Sequence, residues 1–163
     1  MTLQRDPLTG TSAPVRTDFG ALVRADRVHR TLYTDPEIFA EEMVKVFGGR
    51  SWVYLTHESQ LPEPNSFRSI RLGLRPVIVT RDRDGAVHAV FNRCAHRGAT
   101  VCREESGIAK SFQCPYHGWT FRNTGDLVGV PWPQGYGSAF DRSAYGLHRV
   151  TRVESYRGFV FGT

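Results

Sequence analysis

The chain has 163 residues, 40% hydrophobic and 23% charged, which suits one globular domain with a proper core and leaves no space for a second full one. Its formal charge of +5 comes mostly from scattered arginines, lysine occurs only as Lys45 and Lys110, and no nucleic-acid module accompanies the charge, so nucleic acid is set aside as a partner. Three cysteines are too few for a disulfide scaffold, and no run approaches the roughly 18 apolar residues of a membrane span; the expectation is a soluble, cytoplasmic chain with reduced thiols.

Residues 1–24, rich in Thr, Pro, Gly and Ser, read as a flexible arm. Residues 25–50 read as a helical lead-in. Within TDPEIFAEEMVKVFGG, Thr34 or Asp35 can cap, Pro36 suits the first turn, Glu37 favours the N-terminus and Gly48 or Gly49 can stop the helix. Phe39, Met43, Val46 and Phe47 then fall on one face, which predicts an amphipathic helix from Asp35 to Gly48. From Ser51 the pattern changes to short β-rich runs: SWVYLT, FRSIRLG, PVIVTRD, AVHAVFN, KSFQC, WTFR, LHRVTRVESY and GFVFGT. Residues 51–163 are therefore expected to form an all-β domain. RDRDGAV and RNTGDLV mark hairpin turns in which Gly85 and Gly125 supply positive φ.

Two segments between these strands carry chemistry. RCAHRG holds Cys94 and His96, and CPYHGWTF holds Cys114 and His117. Each follows a strand, so two neighbouring loops can converge and offer two thiolates and two imidazoles to one metal centre. Structural zinc takes the same four groups, but its usual spacings put both cysteines in one knuckle and both histidines in the other. Here each loop gives one of each, as a Rieske-type [2Fe-2S] cluster requires, with one iron held by two cysteines and the other by two histidines.

CAHRGATVC followed by CPYHGWTFRNTGDL resembles the Rieske domain of the large (alpha) subunit of bacterial aromatic-ring-hydroxylating dioxygenases. RSWVYLTHESQLPEPNSF ahead of these motifs and ESYRGFVFG behind them extend the resemblance from about Val28 to Gly162, and ESYRGFVFG is most similar to the benzoate and anthranilate branch. The resemblance implies a Rieske iron-sulfur fold, an antiparallel β-sandwich with a cluster-binding subdomain, and assigns the cluster to Cys94, His96, Cys114 and His117. Arg97, Gly98, Tyr116, Gly118 and Trp119 then surround it. Gly98 and Gly118 let the backbone approach, Pro115 stiffens the second loop, and Tyr116 and Trp119 shield the cluster from water.

Replacing two thiolates by two neutral imidazoles brings the oxidised cluster to zero net charge, which makes an added electron easier to accept and fits potentials of roughly −150 to +300 mV. Respiratory-type Rieske proteins cross-link their two loops through an extra cysteine in each. Ala99 and Tyr116 stand at those places here, so a potential toward the low end is expected.

The resemblance further implies that an NADH-dependent reductase or a ferredoxin supplies electrons, that a mononuclear Fe(II) in a catalytic domain absent from this chain consumes them, and that the full enzyme forms a ring of alpha subunits, with a beta subunit as a further partner. The chain looks truncated on this reading. A free-standing Rieske ferredoxin is the alternative, and a zinc-stabilised binding module a third. Cys102 reads as a small buried hydrophobe, His57 as a cap on a strand or turn, and His29, His57, His88 and His148 as too scattered for an oxygen-activating iron site.

Overall fold

A computed structural model describes residues 18–163, so residues 1–17 of the expected arm lie outside the described residues. The chain divides into two compact units, one ending at Glu42 and the other running from Met43 to Thr163. The first contains two single-turn helices, α1 (Phe19–Leu22) and α2 (Thr31–Thr34), and most of α3 (Pro36–Lys45). Residues 18–24 thus hold a helical turn where the sequence suggested only an arm, and Asp18 caps it by accepting from Gly20 N at 3.0 Å. The start of α3 follows the expected chemistry, because Asp35 Oδ1 accepts from Glu37 N at 2.8 Å and Ile38 N at 3.3 Å.

The buried face of α3 is not the expected one. Ile38 is its buried residue, whereas Phe39 is half exposed, and the helix ends before Val46 and Phe47. Ile38 left no signal in the periodicity because the positions three and four residues further on are Glu41 and Glu42.

The second unit consists of three antiparallel sheets. The middle sheet has the order β4 (Val87–Phe91), β3 (Arg75–Arg81), β2 (Ser66–Leu72), β5 (Ser106–Ile108). A second joins β1 (Val53–His57), β10 (Phe159–Gly162) and β9 (Val153–Tyr156), and a third joins β6 (Ser111–Gln113), β7 (Thr120–Arg122) and β8 (Leu127–Gly129). The strand anticipated over LHRVTRVESY is present only as β9; its first half makes a single bridge, Arg149 to Val90. β5 was not anticipated, since Ser-Gly-Ile is exposed throughout and carries no alternation.

Strand β3 explains the layering. Val77, Ile78, Val79 and Thr80 are all buried, so both faces of the middle sheet are covered. Val77 and Val79 enter a core with Leu55, Val160 and Ala89, toward the β1-β10-β9 sheet. Ile78 enters the opposite core with Phe67, Val90, Phe112, Phe121, Cys94 and Cys114. Pairing keeps the faces consistent: Ile78 stands opposite Ser69 and Val90, and Val79 opposite Arg68 and Ala89. Both Cys94 and Cys114 therefore hang from the core on one side of this sheet. Thr80 Oγ1 donates to Asn123 O at 2.8 Å, tying β3 to the β7–β8 turn.

The two anticipated hairpin turns are present, with Gly85 at φ 92° and Gly125 at φ 100°. In the first, the Asp82 carboxylate accepts from Asp84 N and Ala86 N at 2.9 Å each and lies 2.8 Å from His88 Nε2.

Ile78→Ala should destabilise the domain by about 2–5 kcal/mol in urea unfolding, as expected for a large-to-small change in a rigid core. Asp82 sets part of the acid limit. The hydrogen bond from His88, helped by the two turn N–H groups, holds its carboxyl below the ordinary range. The folded state thus favours the carboxylate, so this stabilisation is complete above the unfolded pKa of about 3.9 and fades as pH falls through the lower folded value. Asp82→Asn should flatten that acid decline in stability measured against pH while lowering stability at neutral pH.

Candidate metal centre

The two Cys/His loops are the same turn built twice. In the first, after β4, Gly98 N donates to Cys94 O at 2.8 Å and Cys94 N donates to Ala99 O at 2.8 Å. In the second, after β6, Gly118 N donates to Cys114 O at 3.0 Å and Cys114 N donates to Trp119 O at 2.8 Å. The closing glycines have φ of 71° and 70°, a conformation that side chains disfavour. The difference between the loops is where histidine enters. It occupies the second place after cysteine in the first and the third place in the second, so one backbone shape offers its imidazole from two directions.

Asn92 staples the first loop. Its Nδ2 donates to Cys102 O at 2.7 Å, and its Oδ1 accepts from Val101 N and Cys102 N at 2.9 Å each. Arg93 follows it, and Cys94 begins the turn. The second loop is braced from behind, since a Cβ on Gly118 would lie 2.9 Å from Pro131 Cγ.

These turns set the two thiols beside each other and the two imidazoles beside each other. Cys94 and Cys114 are buried in the same core, with the two thiols neighbours. Burial pushes the Cys94 thiol up, the neighbouring Cys114 thiol adds to this, and backbone N–H groups of His96 and Arg97 aimed at the sulfur oppose it. The His96 and His117 rings lie 4.7 Å apart at 71°. Burial, then the neighbouring His117 and Arg97, push His96 down, which favours a neutral imidazole. His96 Nδ1 is buried with no hydrogen-bond partner.

The remaining residues divide clearly. Trp119 is 3% exposed and stacks on His96 at 4.8 Å with an interplanar angle of 6°. Tyr116 lies 3.8 Å from the His117 ring but is 61% exposed, so it sits on the solvent side of that histidine and is no buried shield. Arg97 is exposed. Cys102 is buried in the core, where it meets Ser69 Oγ at 3.7 Å and the Glu104 carbonyl at 3.6 Å. His57 caps the turn Glu58–Gln60 by accepting from Ser59 N at 3.2 Å. His29 contacts Thr31 and His88 contacts Asp82.

Sequence reading missed Asn92, Pro131, and Tyr136, Phe140 and Tyr145 around Trp119. The available signal was the run of aromatics between Trp132 and Tyr145, in a stretch with no strand alternation to account for them.

The donor set fits a binuclear iron-sulfur cluster. Two adjacent thiols can supply thiolates, backbone N–H groups already face one sulfur, and a buried imidazole nitrogen has an unspent lone pair. Among the described residues no three His, Cys, Asp or Glu side chains gather as they would around a single ion. A [2Fe-2S] cluster takes only two protein ligands on each iron, so its four donors stand further apart than those of one zinc.

A mixed Cys/His iron-sulfur centre on a layered β domain is the class that fold and loops define. Residues 51–155 match the Rieske [2Fe-2S] domain, and the chain belongs to that family. It is 45% identical over 140 residues to the toluate 1,2-dioxygenase subunit alpha of Pseudomonas putida, a match covering 84% of this chain and 31% of that protein. It is 44% identical over 131 residues to the N,N-dimethyl phenylurea N-demethylase subunit alpha of a Sphingobium strain, covering 80% and 28% respectively. Among solved structures, naphthalene 1,2-dioxygenase from Rhodococcus superposes with a TM-score of 0.79 at 40% identity, over 83% of this chain and 31% of that one. The chain thus spans less than a third of the length of each.

Gly98→Ala and Gly118→Ala should differ. Both force a left-handed alanine, at about 1–2 kcal/mol. Only Gly118 would also press a methyl on a proline ring, because the nearest atom to a Gly98 Cβ is the mobile end of Arg93 at 3.8 Å. Iron content per chain and urea midpoints should fall further for Gly118→Ala.

Proposed function

We propose that this chain is the electron-accepting domain of a terminal oxygenase alpha subunit, with Cys94, His96, Cys114 and His117 as the ligands of its [2Fe-2S] cluster. The observation that carries the reading is the repeated turn, which offers one thiol and one imidazole from each of two facing loops, in a chain of the Rieske family. When bound, the cluster supplies a one-electron relay. Cys94 and Cys114 hold charge out of water, and the His96 and Arg97 N–H groups offset it at the sulfur. His96 presents Nδ1, the nitrogen that the protein leaves unpartnered, and His117 lies against the exposed Tyr116 ring.

On this reading the whole protein takes electrons from an NADH-dependent reductase or a ferredoxin and spends them at a mononuclear Fe(II), in a second domain, to hydroxylate an aromatic ring. A ring of alpha subunits, with a beta subunit, is its assembly. The similarity to a toluate dioxygenase supports an aromatic acid as substrate, as does the ESYRGFVFG strand pair β9–β10. A free-standing carrier is disfavoured because a match of 140 residues to a large oxygenase subunit extends well beyond the 51–155 domain. The three cysteines are all free, so the loops carry no covalent cross-link, in keeping with a potential at the low end of the Rieske range.

Purified protein should be coloured, contain iron and labile sulfide, and give the rhombic EPR signal of a mixed Cys/His cluster on reduction. His96→Ala and His117→Ala should each abolish it, and Cys102→Ser should leave it intact. An unchanged signal in His117→Ala, or a colourless protein holding zinc, would overturn the ligand set. Supplied with reductant, O2 and benzoate-like acids, the chain should accept electrons yet yield no hydroxylated product above a metal-free control.

A further inference from the structure

Trp119 belongs to one loop and serves the other. Its carbonyl closes the second turn by accepting from Cys114 N, while its indole lies flat on His96 of the first loop, 4.8 Å away and 6° from parallel. The orientation of the His96 ring has few other determinants. Its buried Nδ1 has no hydrogen bond, and His117 meets it edge-on at 71°. The Trp119 indole is thus the ring that lies flat on this imidazole.

The indole plane is in turn fixed by a segment that carries none of the four donors. Trp119 Nε1 donates to Tyr136 Oη at 3.0 Å, and Phe140 and Tyr145 meet the indole at 66° and 90°, each 5.9 Å from it. Those rings are themselves a stack: Tyr136 on Phe140 at 4.6 Å and Phe140 on Tyr145 at 5.0 Å. Tyr136 is 37% exposed, so its ring is only partly spent on filling core, whereas its hydroxyl is placed on the indole N–H.

We propose that Tyr136 is a positioning residue for the His96 imidazole, acting through Trp119, so that the aromatic segment from Tyr136 to Tyr145 fixes the ring plane of one cluster ligand. This rests on the reading of His96 as a ligand. The plane of an imidazole about its metal–nitrogen bond governs how unpaired spin reaches the ring nitrogens, so a disturbance of Tyr136 should be readable at one histidine and absent at the other.

The test uses the cluster-loaded chain with 15N-labelled histidine, reduced and read by pulsed EPR. The unsubstituted protein should show two distinct histidine nitrogen couplings. Tyr136→Phe removes a hydroxyl and no ring; one coupling should shift or broaden while the other stays. Iron release to a ferrous chelator should quicken about fivefold, in line with one lost neutral hydrogen bond. Trp119→Phe keeps a ring on His96 but deletes the donor. It should perturb the same coupling, and adding Tyr136→Phe to it should change nothing further, as for two residues acting through one bond. Two couplings identical to the unsubstituted protein in Tyr136→Phe would overturn the proposal, even with lowered stability, because Tyr136 would then be packing alone. Should Tyr136→Phe fail to load, the same single-nitrogen shift is required of Trp119→Phe, and unchanged couplings there overturn the proposal equally. Fewer than two histidine couplings in the unsubstituted protein would instead remove the ligand reading beneath it.

Discussion

The constraint that organises this domain is the left-handed glycine turn that closes each Cys/His loop. A short loop has no core of its own, yet it must hold a buried thiol and an imidazole in fixed directions. The solution is local: a cysteine N–H and carbonyl both bound within one turn, with glycine at the position where the chain must reverse at positive φ. Because both loops use that turn, their cysteines occupy equivalent places and enter the same core. The histidines differ by one place, and one backbone solution then yields two rings inclined at 71°.

Everything beneath the loops serves to keep them opposite each other. Strand β3 is buried on both faces, so the middle sheet is anchored by the β1-β10-β9 layer on one side and free to carry the core beneath the Cys/His loops on the other. β4 leads into the first loop and β6 into the second, and these strands belong to different sheets. Covalent linkage is absent. What spans the gap is side-chain packing: the paired thiols, the facing imidazoles, and the Trp119 indole, whose backbone closes one loop while its ring covers the histidine of the other. Such a tie is weaker than a disulfide but costs no oxidising compartment.

The strands around the loops were legible because β-branched runs bounded by Gly and Asp turns carry their own period, and the turns at Gly85 and Gly125 stand where the dipeptides put them. The four candidate donors stand out in the sequence because a cysteine and a histidine within two or three residues of each other, twice over, is rarely accidental. Ile38 and β5 were not, for the same reason in two forms. One is an apolar residue whose helical neighbours are glutamates, and the other a strand with neither face buried, so neither leaves a periodic trace. Asn92 and Tyr136 were hidden differently. Their work depends on partners 9 to 17 residues away along irregular chain, at Val101, Cys102 and Trp119, and no spacing rule links an amide or a phenol to such partners.

On the proposed reading the Cys/His loops of this chain concern electrons, and that limits what they can select. On that reading the thiols, imidazoles, N–H donors and aromatic supports adjust how readily a cluster accepts and yields one electron. The relatives fit this division. A toluate dioxygenase subunit and a phenylurea N-demethylase subunit carry names for different reactions, yet they are 45% and 44% identical to this chain over comparable lengths. Near-equal similarity to both fits a role common to the two proteins, and electron transfer is the one proposed for this chain.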